Sequence, residues 1–223
     1  MKAKDLERNN VLQHAHETAY QIACKELGRW DPLDIEKSSG TIFKKTVGAF
    51  FFRYVGEEYK VAFPSGKVSY AIKEDAVPTT VKVILLHYLL RAGGQRLKQQ
   101  QISFKDIPDG GMIYHEVFSK RVTNYLLTVF SENPDLLISA GLALQGLPTS
   151  VGDYSIRLDI LPRFPITYVI WADDDEFPAR ATVLFDATAP FYLPTEDIVV
   201  AAAYGVGQLG KMAKQIKTSA QVS

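Results

Sequence analysis

Residues 158–200 read LDILPRFPITYVIWADDDEFPARATVLFDATAPFYLPTEDIVV, and this stretch decides the fold. Residues 166–171 form an apolar run broken only by Thr167. Its β-branched and aromatic side chains, bounded by Pro165, predict a strand buried on both faces. Residues 180–185 predict a second strand, in which Ala181, Val183 and Phe185 alternate with Thr182 and Leu184. Between them lie Asp173, Asp174, Asp175 and Glu176. Adjacent carboxylates repel one another, and Asp is a poor strand former and a good turn former. The segment therefore predicts a β-hairpin whose tip, residues 172–179, is a solvated acidic loop.

That hairpin separates the polar groups into two poles. Asp173 to Glu176 occupy the tip, and Asp186 sits at the other end, roughly 20 Å away for strands of ordinary length. Asp153, at the start of the preceding strand, belongs with the tip. Arg163, in the connection Leu161-Pro162-Arg163-Phe164-Pro165, belongs with Asp186, and the two form a candidate structural pair.

Working upstream, Tyr154, Ile156, Leu158 and Ile160 alternate with Ser155, Arg157 and Asp159, which adds a third strand to the hairpin. Residues 47–55, 59–63 and 68–72 predict an earlier three-stranded meander with turns near Gly56 and at Pro64-Ser65-Gly66. Helices are predicted over 10–27, 80–91 and 113–130, then from Asn133 to about Gly146, and from Thr195 onward. Residues 31–40 predict a polar loop. The expected fold is α+β, with mostly antiparallel strands in two three-stranded meanders and helices packed over them. A single globular domain, 1–223, is expected, with 148–152 as its only candidate subdomain boundary.

WADDDEFP (171–178), Leu184-Phe185-Asp186 and LPTED (193–197) resemble an uncharacterised family, domain of unknown function 3786. Gly152-Asp153, 161–165, Tyr88-Leu89 and Ser103-Phe104 fit the same pattern, so the likeness covers most of the chain. The family is known from anaerobic bacteria, and some members carry a cysteine-rich iron–sulfur segment. This chain departs from those members, because Cys24 is its only cysteine, and Asp175 stands where the pattern usually shows Glu. The resemblance implies an anaerobic setting, with a link to anaerobic redox or one-carbon metabolism, and it implies no activity.

Composition narrows the function classes. The 223 residues include 25 Lys and Arg against 25 Asp and Glu, a net charge of zero. That argues against a nucleic-acid binder, which needs a basic excess, and against electrostatic attachment to an anionic membrane. One cysteine makes neither an internal disulfide nor a cysteine-only metal site. The beginning, MKAKDLERNN, has no apolar core of signal-peptide type, and no stretch reaches transmembrane length, so a cytoplasmic protein is expected.

No catalytic constellation is legible along the chain. Gly205-Val206-Gly207-Gln208-Leu209-Gly210 matches a dinucleotide glycine motif by letter, yet too little chain follows for a βαβ unit. A small-residue helix face packed on the sheet is the expected alternative, and no cofactor is expected. His14 and His16 point to different helix faces, and His87 lies within an apolar helix. His115, beside Asp109-Gly110-Gly111, is the best-placed general base. Asp173 to Glu176 with Asp153 offer oxygen ligands for calcium or magnesium, but the loop lacks EF-hand spacing and its central glycine. No metal centre is expected. The reading that results is a binding or accessory protein with a protein partner. Its rival is an enzyme using the acidic loop, with or without a divalent metal.

Overall fold

The computed structural model describes residues 3–222, with side chains from residue 11 to residue 220. The fold is α+β, and its strands form two separate antiparallel sheets of four and five strands. The chain divides into two compact units, the first ending at Gly94 and the second beginning at Gln95. Residues 148–152 lie inside the second unit.

In the first unit, α1 (Ala3–Leu27) is followed by α2 (Pro32–Ser39), where a loop was expected. Its bracketing signals are local. The Asp31 carboxylate accepts the Leu33 N–H at 2.7 Å, Pro32 fills the first helical position, and Gly40 closes the helix at φ 72°. Strands β1 (Ile42–Lys44), β2 (Ala49–Tyr54), β3 (Glu57–Ala62) and β4 (Val68–Tyr70) pair in sequence order. The expected meander is β2 to β4. The additional edge strand β1 has three residues, too few for a period-2 pattern, and it exists by pairing with β2. The predicted apolar helix is α3 (Thr79–Arg91). Its Tyr88 lies against Phe52 and donates to the Ser39 carbonyl at 2.6 Å. Cys24 packs against Gly66, and burial raises its thiol pKa, which suits a packing role rather than a nucleophile.

The second unit contains β5 (Gln101–Ser103), α4 (Gly111–Phe118), α5 (Asn124–Phe130), α6 (Asp135–Ala143), β6 (Leu147–Pro148), β7 (Tyr154–Leu161), β8 (Phe164–Trp171), β9 (Arg180–Asp186) and α7 (Thr195–Val222). The sheet order is β5-β9-β8-β7-β6, so the expected three strands form its centre. The edges β5 and β6, of three and two residues, are again too short to read from periodicity. A π-turn, Ser119–Thr123, joins α4 to α5. Phe118, Val122, Leu126 and Phe130 are all buried and recur strictly every four residues. That spacing exceeds the 3.6 of an α-helix, and the wider turn keeps the row on one face. Val117 and Tyr125, which are off that row, are exposed.

Alternation on β7 follows the sequence, with Ile156, Leu158 and Ile160 buried beneath the helices. Each such side chain contributes about 1.5–3 kcal/mol of transfer free energy. Helix α7 crosses this face at Gly205, where an added Cβ would lie 2.1 Å from the Tyr168 hydroxyl and 2.9 Å from Ile160. The glycine motif is therefore a helix-packing face, as expected, and lies in mid-helix rather than at a strand-to-helix turn. Among the described residues, no helix is long and apolar enough to cross a membrane.

Candidate functional site

The acidic loop is the whole of the connection between β8 and β9, whose last pair is Trp171 with Arg180. It is not a floppy tip. The Asp174 carboxylate accepts the N–H groups of Glu176 at 2.9 Å and Phe177 at 2.7 Å, and the Asp174 N–H reaches the Phe177 carbonyl at 3.0 Å. Those backbone bonds, with the Arg180 charge, hold the Asp174 carboxyl below the usual carboxylate range. Asp153 braces the base of the loop, its carboxylate accepting the Ala172 N–H at 3.0 Å. The Arg180 guanidinium lies 5.8 Å from the ring centres of both Trp171 and Phe177, within cation–π range.

Asp173 to Glu176 are exposed, and Phe177 is 54% exposed. Together with Glu132 and Ser131 they line an open cleft of about 540 Å³. Phe177, Arg180 and Glu132 were not singled out by sequence reasoning. An aromatic residue directly after an acidic run, with Trp and Arg at the flanking strand ends, was the signal available. Among the described residues, no group of three or more His, Cys, Asp or Glu side chains is arranged to hold a metal ion.

The opposite pole is built around Asp186, which is 8% exposed. Its Oδ1 accepts the Lys98 N–H at 3.1 Å, the Thr188 N–H at 2.9 Å and the Thr188 hydroxyl at 2.6 Å; its Oδ2 accepts the Gln99 N–H at 2.7 Å. Burial alone would raise this carboxyl, but the hydrogen bonds outweigh it and leave the pKa lowered. Arg163 hydrogen-bonds the Tyr192 side chain, whose hydroxyl also donates to the Gln95 carbonyl and senses the Asp186 charge. Arg163 and Asp186 thus flank the same buried tyrosine.

His115 stands in neither group. Its Nε2 is 3.4 Å from Ser119 Oγ, and its Nδ1 is buried without a hydrogen-bonding partner among the described residues. Burial and the nearby Lys105 charge lower its pKa, so it is neutral at pH 7. Thr195, where α7 begins as predicted, turns its hydroxyl to the Pro108 and Asp109 carbonyls at 3.3 and 3.4 Å, tying down the loop before α4.

The model of the domain of unknown function DUF3786 matches residues 31–208, which include both poles of the hairpin. The chain belongs to this family. No curated protein and no solved structure matches it. The DUF3786 match begins at the Asp31 cap of α2 and ends within α7, so it takes in both units.

Proposed function

We infer that this DUF3786 protein is a cytoplasmic binding or accessory protein that engages a basic segment of a protein partner through its acidic hairpin tip. One observation carries the reading: four exposed acids and a half-exposed Phe177 surround one open cleft, on a loop already shaped by its own hydrogen bonds. A pre-organised loop loses little conformational entropy on binding. An aromatic anchor inside a rim of one charge sign suits a partner that carries Lys or Arg beside an apolar residue. The family resemblance adds an anaerobic setting, in redox or one-carbon metabolism.

The test uses the wild type beside a variant with Asp174→Asn, Asp175→Asn and Glu176→Gln. Capture from anaerobic lysate is expected to return a partner that is lost with the variant and weakens with salt in the wild type. Calcium or magnesium is expected to leave both melting temperatures unchanged. A divalent-ion stabilisation present only in the wild type would replace this reading with a metal-dependent enzyme or binding site.

A further inference from the structure

A second cleft, of about 390 Å³, opens at the Asp186 end of the sheet. Its polar lining is Gln99, Gln101, Arg157, Thr167 and Asp186; Leu97 and Pro165 supply apolar wall, while the Phe185 ring packs among Phe104, Phe118 and Phe164 on the other face of the sheet. Four separate stretches converge here because β5 pairs with β9, which places Gln101 opposite Asp186, while Arg157 on β7 sits opposite Thr167 on β8.

The unfilled hydrogen-bonding positions in this cleft are opposite in kind at its two ends. Asp186 Oδ1 takes three donors, but Oδ2 takes one, so a carboxylate lone pair is still open. Arg157 gives Nε and Nη2 to a single oxygen of Asp159, at 3.1 and 2.9 Å, and leaves Nη1 uncommitted. Thr167 is 4% exposed. The register puts the α carbons of Arg157 and Asp186 two strands and two residues apart, roughly 12 Å at ordinary sheet spacings. The long arginine side chain shortens that span. Gln99 holds a left-handed backbone at φ 56°, unusual for a residue with a Cβ, and its N–H is bound to Asp186. Strain of this kind concentrates where a structure positions groups for a task.

We propose that this cleft binds a small zwitterion, an α-amino acid with an aliphatic side chain. The ammonium group meets Asp186 Oδ2, the carboxylate meets Arg157 Nη1, and the side chain lies against Leu97 and Pro165. The Gln99 and Gln101 amides donate or accept between the two ends. The volume lies within the ordinary range of small-molecule sites. The charge pattern selects against the alternatives. A simple anion meets the Asp186 charge, and a simple cation leaves Arg157 Nη1 without an acceptor, the guanidinium charge itself being paired with Asp159. The cleft and the acidic tip sit at opposite ends of the β8–β9 hairpin, so this proposal and the partner-docking reading succeed or fail independently.

The experiment is calorimetric titration of the full chain with three probes: L-leucine, 4-methylpentanoate, which lacks the amine, and 3-methylbutylamine, which lacks the carboxylate. L-Leucine is expected to bind saturably, and each truncated probe to bind at least about tenfold more weakly, a difference of about 1.4 kcal/mol. Arg157→Gln removes only a half-exposed ion pair from the folded chain, so its melting curve should match the wild type. It should weaken L-leucine about tenfold and leave 3-methylbutylamine unaffected. No saturable L-leucine binding, equal affinity for 4-methylpentanoate, or an Arg157→Gln variant that binds L-leucine as the wild type does would each overturn the proposal.

Discussion

Asp186→Ala should be among the most damaging single substitutions in the second unit. The carboxylate gathers four donors from two segments, Lys98 and Gln99 before β5 and Thr188 after β9. Hydrogen bonds to a charged acceptor contribute about 1.5–3 kcal/mol each. They share one carboxylate and are not additive, and the adjoining cleft lets water reach part of the site. The expected loss is therefore about 3 kcal/mol rather than the full sum. For a chain of this size, 1 kcal/mol moves the melting temperature by about 2–4 °C, so a fall of about 6–12 °C is expected. Asp186→Asn should be nearly as costly, because its amide turns donors toward donors. Thr188→Val removes one bond of the four and should cost about 1–2 kcal/mol. Calorimetric melting of the three variants checks the order. A wild-type curve for Asp186→Ala, or a larger loss in Thr188→Val, would show that this carboxylate does not hold the two segments together.

The lowered Asp186 pKa sets an acid limb of stability: the contribution is complete above the unfolded-state value of about 3.9 and disappears as pH falls through the lower folded-state value. Melting temperature plotted from pH 6 to pH 2 should therefore drop more steeply in the wild type than in Asp186→Asn. Arg163→Ala strands the Tyr192 hydroxyl network and should cost about 1–3 kcal/mol, read from chemical denaturation. Within the glycine motif, Gly205→Ala should destabilise by about 1–3 kcal/mol through its clash with Tyr168. Gly207→Ala, with nothing within 4 Å of its added Cβ, should stabilise α7 by up to about 1 kcal/mol. A reversed order would contradict the packing described for α7.

The hairpin of β8 and β9 was legible from a continuous apolar run before the acidic turn and an alternating run after it, although β8 begins at Phe164, ahead of the Pro165 expected to bound it, and β9 extends to Asp186. Helix α2 was missed although Asp31-Pro32 and Gly40 bracket it, because Asp34, Glu36 and Lys37 surround Ile35, its one buried apolar residue, and the other buried position is the polar Ser39. Strands β1, β5 and β6 carry no readable pattern; pairing with a longer neighbour makes them strands. The same reason divides the sites. The acidic loop is contiguous in sequence and visible there. The cleft is assembled from Gln99, Gln101, Arg157, Thr167 and Asp186, ordinary polar residues until the β5–β9 pairing brings their segments together.

The salt dependence of partner binding tests the role of the acidic tip most directly. Affinity of the captured partner for the wild type should fall steadily with rising ionic strength, as interactions between exposed charges are screened. The variant carrying Asp174→Asn, Asp175→Asn and Glu176→Gln should bind weakly at every salt concentration, while its melting curve stays close to the wild type. Equal affinity and equal salt dependence in the two proteins would contradict the account and place the partner on another surface.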